Sequence, residues 1–440
     1  MQNRSVLACC LPAFIAALPM QVSVATGDAE SFNSAYQTTY IWQRKQAFDA
    51  PYSGVNSLTA EREKSYSITA TAAFGWRPWE GAGLYIDPEL AQGVPLSHLT
   101  GLGGMSNGEM ARTSGANPTL YRARLFLRQV WGLGGEQEMI ASGANQLAAK
   151  LDKRRVTLTL GNVSVLDIFD ANAYSDDPRT QFINWSIMTH GAYDFAADSR
   201  GYTWGAALEW QDGRWALRAG RFIQPQESNG LALDRHIFSH FGDQVEGEHA
   251  HGLGGFAGKI RLLVFRNVAM MGSYADALAA RPDAVSLPAV ADVRRRHAKV
   301  GYGINIEQAL PLDVGLFARA SWADGKTETY AFAEIDRSVS AGMSLTGAAW
   351  SRPDDIAGVA GVRNGMSAPH QAYLAAGGLG FFAGDGKLNY GAENIGELFY
   401  NAALGKTAHI GFNFQRIVHP AYNRERGPVT IASVRLHSDF

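Results

Sequence analysis

The run Tyr66-Ser67-Ile68-Thr69-Ala70-Thr71-Ala72-Ala73-Phe74-Gly75-Trp76 decides the fold. Every even position from 66 to 76 is apolar or aromatic, and the positions between are small or polar. A period of two marks a strand with one face in an apolar medium. The run is about twice the length of an ordinary strand and matches the roughly 9–11 residues that a tilted strand needs to cross a bilayer. The same alternation recurs over residues 202–210, 298–306, 314–322 and 408–414. Trp76, Trp131, Tyr202, Trp210 and Trp322 stand at the ends of apolar faces, as interfacial girdles require.

Working outward from that run gives spans near residues 36–44, 64–77, 83–88, 118–131, 154–165, 200–210, 214–223, 243–253, 257–267, 294–307, 312–322, 337–349, 354–366, 393–403, 407–417 and 428–440. The third is short and is taken to stop at Pro88. Sixteen is an even number, as bacterial single-chain barrels have. Short connections at 78–81, 211–213, 253–255, 308–311, 351–354 and 404–406 fall on alternate gaps, which marks the periplasmic end. One periplasmic link is long, residues 132–153, and 137–151 reads as partly helical. A second short helix is expected at 369–376. The predicted fold is all-β: a 16-stranded antiparallel transmembrane β-barrel with short periplasmic turns, long extracellular loops and a few short loop helices. Its last strand turns Leu436, Val434 and Ala432 outward and ends on Phe440, the aromatic signal read by the outer-membrane assembly machinery.

Composition agrees with this reading. Lys+Arg of 39 against Asp+Glu of 41 in 440 residues gives a net charge of −2, without the basic excess of a nucleic-acid binder. An apolar content of 46% excludes a disordered chain. Residues 1–25 read as a signal peptide: Arg4, an apolar stretch over 6–20, and Ser23-Val24-Ala25 as the cleavage site. Both cysteines, Cys9 and Cys10, fall inside it, so residues 26–440 form one barrel domain without disulfides or cysteine-bound metal. No run of 18 apolar residues follows Thr26, so no transmembrane helix is expected. No Gly-x-Ser-x-Gly, His-Glu-x-x-His or P-loop pattern is present, so no catalytic residue and no enzyme activity are expected. His249 and His251 are too few for a metal site, and neither metal nor cofactor is expected.

The informative polar residues are those that alternation turns into the lumen. On the fourth span these are Arg122, Arg124 and Arg128; elsewhere Arg155, Arg218, Arg261, Arg319, Glu246 and Glu248 follow the same logic, together with Lys259, Lys299, Arg435, Glu209 and Glu397. A charge facing lipid at mid-bilayer costs about 2–4 kcal/mol. These charges either are merely solvated and salt-bridged to one another or form a constriction where guanidinium forks donate paired hydrogen bonds to adjacent hydroxyls or to a carboxylate. The acidic stretch Asp167, Asp170, Asn172, Asp176, Asp177 offers solvated or sugar-facing acceptors. The long loop 166–199 is expected to line the pore mouth. Phe169, Tyr174, Phe182, Trp185 and Tyr193 would either offer faces for sugar C–H groups or pack the loop onto the barrel wall, and Asp176, Asp177, Arg179 and Asn184 would offer hydrogen bonds.

Six stretches carry a family resemblance. They are Asp177-Pro178-Arg179-Thr180-Gln181-Phe182 with Asn184-Trp185; Gly201-Tyr202-Thr203-Trp204-Gly205; Glu227-Ser228-Asn229-Gly230 with Leu233-Asp234; Tyr330-Ala331-Phe332 with Glu334-Ile335-Asp336-Arg337; Tyr373-Leu374-Ala375-Ala376-Gly377-Gly378 with Gly384-Asp385-Gly386; and Pro420-Ala421-Tyr422-Asn423 with Arg426-Gly427-Pro428-Val429. In this order they resemble the carbohydrate-selective outer-membrane porins of the OprB type over nearly the whole mature chain. The resemblance implies passive, substrate-selective diffusion of monosaccharides such as glucose, and of polyols, into the periplasm, through an eyelet of arginines and acids. A channel for sugar acids or other small organic anions, or a general diffusion porin, is the alternative. The location implied is the outer membrane of a Gram-negative bacterium, crossed many times. The partners are the sugar or polyol solutes, outer-membrane lipid and lipopolysaccharide, and the assembly machinery at Phe440; the barrel is a monomer or a trimer.

Overall fold

In the computed structural model, which describes residues 29–112 and 115–440, the opening run lies in strand β2 (Glu63–Trp76). Ser65, Ser67, Thr69 and Thr71 are buried on its inner face, while Trp76 is exposed outward. The leader assigned to residues 1–25 lies outside the described residues.

The barrel wall continues through β1 (Phe32–Lys45), β3 (Ala82–Val94), β4 (Thr119–Gly132), β7 (Arg155–Val163), β8 (Thr203–Asp212), β9 (Trp215–Ile223), β10 (Phe241–Leu253), β11 (Phe256–Met271), β12 (Arg295–Leu310), β13 (Val314–Ala323), β14 (Arg337–Gly347), β15 (Arg352–Gly365), β16 (Glu393–Ala403), β17 (Ala408–Val418) and β18 (Val429–Asp439). Among the described residues these sixteen strands, each antiparallel to its neighbours, close into one barrel where β1 pairs with β18. Closure leaves no open edge, so every backbone polar group in the apolar layer has a partner. No helix of the described residues is long and apolar enough to cross a membrane. Phe440 stacks on Tyr36 with ring centroids 5.8 Å apart, at the periplasmic end of the seam.

Three expectations are corrected. Residues 137–151 are not helical: β5 (Gln137–Ile140) and β6 (Ala149–Asp152) form a hairpin. Gly143 interrupts the segment and Asn145 takes a positive φ of 59°, a turn geometry that a helix cannot absorb. The third strand does not stop at Pro88 but runs on to Val94. Opposite Pro88 the partner strand bulges: Asp87 pairs with Arg124 and Pro88 with Arg122, leaving Ala123 as an extra residue. A bulge interrupts the ladder and so accommodates a residue without an N–H. The same bulge flips the parity above it. Tyr121 turns inward and Arg122 turns outward, its guanidinium 5.1 Å over the ring of Trp204, so Arg122 does not line the lumen.

The helices are short: α1 (Trp185–Met188), α2 (Tyr274–Ala279) and α3 (Ala368–Ala375). The last matches the expected helix at 369–376. The Ser367 side chain caps it by accepting from the His370 backbone N–H, and Pro369 sits in the first turn.

Candidate functional site

Charged residues on the inner wall first hold a loop in place. Residues 164–202, between β7 and β8, fold into the barrel. Glu246 on β10 accepts from the Asp170 backbone N–H at 2.8 Å. Glu397 on β16 accepts from those of Ile183 and Asn184 at 2.9 and 3.0 Å. Arg319 on β13 donates to the Asp170 carboxylate at 2.9 Å, and Arg435 on β18 donates to the carbonyls of Pro178 and Gln181 at 2.9 and 2.8 Å. Burial alone would raise the Asp170 carboxyl, but Arg319 and His190 hold it below the usual carboxylate range. Burial, with Arg319 alongside, pushes His190 down to about 4 despite Asp170, so the ring is neutral at pH 7.

These bonds correct part of the expected pore lining. Arg261 and Arg319 are each 3% exposed and Glu246 1%, sealed beneath the loop. Arg261 is bonded to Glu248 at 2.8 Å and Glu307 at 3.1 Å. Glu248 is also buried, bonded to Arg218 at 3.1 Å and paired with Lys259 at 3.2 Å. They anchor the loop and wall, out of reach of a solute. The loop aromatics behave likewise. Phe169, Phe182, Trp185 and Tyr193 are buried, Trp185 packing on Phe195 and Phe332, so they offer no open face to a sugar. Asp170 and Asn172 are buried against the wall rather than solvated. Tyr202 is also buried, on the lumenal side, rather than part of a girdle. Asp177 builds the turn, accepting from the Arg179 backbone N–H and the Thr180 hydroxyl, each at 2.9 Å.

What stays partly open is a ladder of paired charges beside β3 and β4. Arg124 forks onto Asp167 with two bonds of 2.7 Å and reaches Asp87 at 3.2 Å. Its guanidinium lies 5.3 Å from the ring of Tyr202, whose hydroxyl donates to Glu89 at 3.3 Å. Glu89 also accepts from Thr71 at 2.6 Å and from Tyr121. Arg179 completes the ladder, 3.1 Å from Glu109 and 3.8 Å from Glu89. The side chains of Arg124, Arg179 and Asp167 keep 14%, 21% and 31% of their surface exposed, whereas Asp87, Glu89 and Glu109 are buried behind them. A third span that ends at Pro88 leaves Glu89 outside the strand and Asp87 beside its end, so the sequence pattern does not single out the pair. Read through Pro88, they stand two apart on one face.

The periplasmic hairpin closes the space below. Asn145 at its tip donates to Asp87 at 2.8 Å, Arg128 donates to the Asn145 carbonyl at 2.8 Å, and Arg155 pairs with Glu138 at 2.6 Å. Asn33 on β1 donates to the carbonyls of Gly143 and Gln146 at 2.9 and 2.8 Å. Leu147 is buried in a cluster with Tyr85 and Phe126. Between hairpin and loop lies a cavity of about 310 Å³ whose lining includes Tyr85, Arg128, Arg155, Asp167, Glu209 and Arg218. Its size falls within the range of small-molecule sites. Among the described residues no cluster of His, Cys, Asp and Glu is arranged to hold a metal ion.

The high-pH structure of Pseudomonas putida OprB superposes with a TM-score of 0.70 at 15% identity, covering 93% of this chain and 94% of that one. The low-pH structure of the same protein gives 0.50 at 11% identity, covering 93% of each. No curated protein matches the chain. These likenesses establish the barrel fold. The model of the carbohydrate-selective porin, OprB family, matches residues 73–440, most of the chain. Porins are channels, and the chain is a channel rather than an enzyme. With its barrel closed and its charged ladder on the inner wall, this chain belongs to the OprB family of carbohydrate-selective porins, which span the outer membrane of Gram-negative bacteria.

Proposed function

We propose that the channel passes small neutral hydroxylated solutes, monosaccharides such as glucose and polyols, by passive diffusion, and that Arg124, Asp167 and Arg179 touch them. The ladder beside β3 and β4 carries this reading. Arg124 and Arg179 each stand against carboxylates, so the passage offers donors and acceptors side by side. A polyol carries the same alternation of donor and acceptor in each hydroxyl. At the ladder, a sugar acid would have to displace Asp167 from Arg124, and the two bonds between them oppose that. The cavity beneath, with Arg128, Arg155 and Arg218 on its wall, would receive the solute before release. On the same reading residues 1–25 direct export, residues 26–440 form one domain, Phe440 is the handle for the assembly machinery, and the barrel works as a monomer or a trimer.

The test is current through purified protein in planar bilayers. Millimolar glucose or a hexitol is expected to reduce the ionic current reversibly. If neither does, and a sugar acid such as gluconate does, the channel serves anions and the reading is overturned.

A further inference from the structure

The outer face of the barrel carries a second pattern, independent of the lumen. At the extracellular ends of adjoining strands, outward positions hold Arg363 on β15, Arg416 on β17, Arg44 on β1 and Lys64 on β2, all exposed. Strand pairing makes this a continuous strip: Arg363 lies across from Asn394, Arg416 from Thr430, and Arg44 from both Ala432 and Lys64. No Asp or Glu occupies an outward position on β16, β17, β18, β1 or β2 among the described residues. Acids of the same strands, such as Glu393 and Glu397, are buried inside.

Arg44 and Lys64 stand directly opposite each other across two strands. Like charges in that position repel and destabilise a sheet. The hydrogen-bond partners nearby are neutral: Arg416 donates to the Thr430 hydroxyl at 2.8 Å and Arg363 to the Asn394 side-chain carbonyl at 3.1 Å. The strip is therefore built for an anion supplied from outside the chain. Beneath it the outward positions are apolar or aromatic, with Trp42, Tyr66, Leu398, Phe414 and Val434 facing the acyl layer. At the periplasmic end of β1 and β2 the outward edge carries Phe32, Tyr36 and Trp76 instead of cations. Arg352, at that end of β15, is exposed but paired with Asp355, and Lys406 lies in the turn between β16 and β17. On β1 and β2 the outward cations thus mark one leaflet only, at the level of its headgroups.

We propose that this strip, centred on Arg44, Lys64 and Arg416, binds the phosphorylated headgroup of a lipopolysaccharide molecule in the outer leaflet, with the acyl chains lying on the apolar wall below. The Cα atoms of Arg44 and Arg416 are two strands and two residues apart, about 12 Å from sheet spacings. Long side chains over that span can hold one headgroup with more than one phosphate, and paired arginine forks suit phosphate oxygens.

Purified barrel in detergent can be titrated with lipopolysaccharide and with the same lipid after its phosphates are removed. Wild-type protein is expected to bind the phosphorylated lipid at least about tenfold more tightly, on the order of 1.4 kcal/mol. A variant carrying Arg44→Gln, Lys64→Gln and Arg416→Gln is expected to lose that preference while its single-channel conductance stays unchanged. Equal binding of the two lipids by wild-type barrel overturns the proposal, as does a preference that survives in the variant. Displacement of the lipid by millimolar inorganic phosphate would also overturn it, because the strip would then be a site for free anions. Should the variant fail to assemble, the two-lipid comparison on the wild-type barrel still decides.

Discussion

Arg124 is the side chain through which wall and loop meet. It touches Asp87 on β3, Asp167 in the inward loop and the ring of Tyr202. Replacing it by Ala should weaken sugar block by about 1.5–3 kcal/mol, the value of a hydrogen bond to a charged group. Arg124→Lys keeps the charge and loses the fork, so it should recover ion selectivity more fully than sugar block. Arg319 lies deeper and predicts differently. Its loss leaves the buried Asp170 carboxylate without its main cation, which costs about 3–5 kcal/mol. Arg319→Ala should therefore loosen the loop, seen as faster proteolysis within residues 164–202, with the barrel still assembled. A third residue sets a pH limit. His370 in α3 is fully buried, with its Nδ1 3.0 Å from Asp336 and its ring stacked on Tyr274. Burial would lower its pKa, but Asp336 and Glu334 raise it to about 9. Folding raises this pKa, so the stabilisation is complete below about 6.5 and lost as pH climbs through about 9, roughly 3 kcal/mol in all. Hydrogen exchange over residues 366–376 should accelerate near pH 9 in wild type, and His370→Gln should remove the step.

At the scale of elements, strand positions were legible because lipid imposes a single rule on every outward position. Tyr66 through Trp76 could be read from alternation alone. The rule fails where one extra residue enters without a mark of its own. Ala123 is as small and apolar as the outward alanines, so nothing near it announced the bulge, and Arg122 was placed on the wrong face; the only trace was Pro88 on the neighbouring strand. The inward loop was legible as long and polar, but not its tethers. Asp170 meets Arg319 across 149 residues, a contact that no local spacing encodes. The hairpin was misread because the stretch from Gln146 to Leu151 has helix-forming composition, which tertiary bonds from Asn33, Arg77 and Arg128 override. That hairpin makes its own prediction. Asn145 and Leu147 reach up to the floor of the passage, so replacing residues 141–148 by a Gly-Ser linker should raise single-channel conductance. An unchanged conductance would remove the hairpin from the conduction path.

For the whole molecule, the distribution of charge matters more than its sum. The chain is nearly neutral, at −2, yet its lumen is crowded with arginines, lysines and carboxylates. They are arranged as pairs: Arg218 with Glu209, Glu246 and Glu248; Arg261 with Glu248 and Glu307; Lys299 with Asp194; Arg179 with Glu109. An ion in the passage meets dipoles rather than a field of one sign. Screening over a Debye length of about 10 Å at 0.1 M salt weakens any residual preference further. The wild-type channel should therefore show a reversal potential close to zero under a salt gradient, drifting from zero only as ionic strength falls. Removing Arg124 and Arg179 together takes both cations from the ladder, leaving Asp87, Asp167, Glu89 and Glu109 behind. The reversal potential should then move toward that of a cation channel, by more than either single change produces, because the two arginines join one continuous network through Tyr202 and Glu89. A wild-type potential already close to the anion limit would mean that the pairs are broken in the conducting state, and would favour a sugar acid over a sugar as the solute.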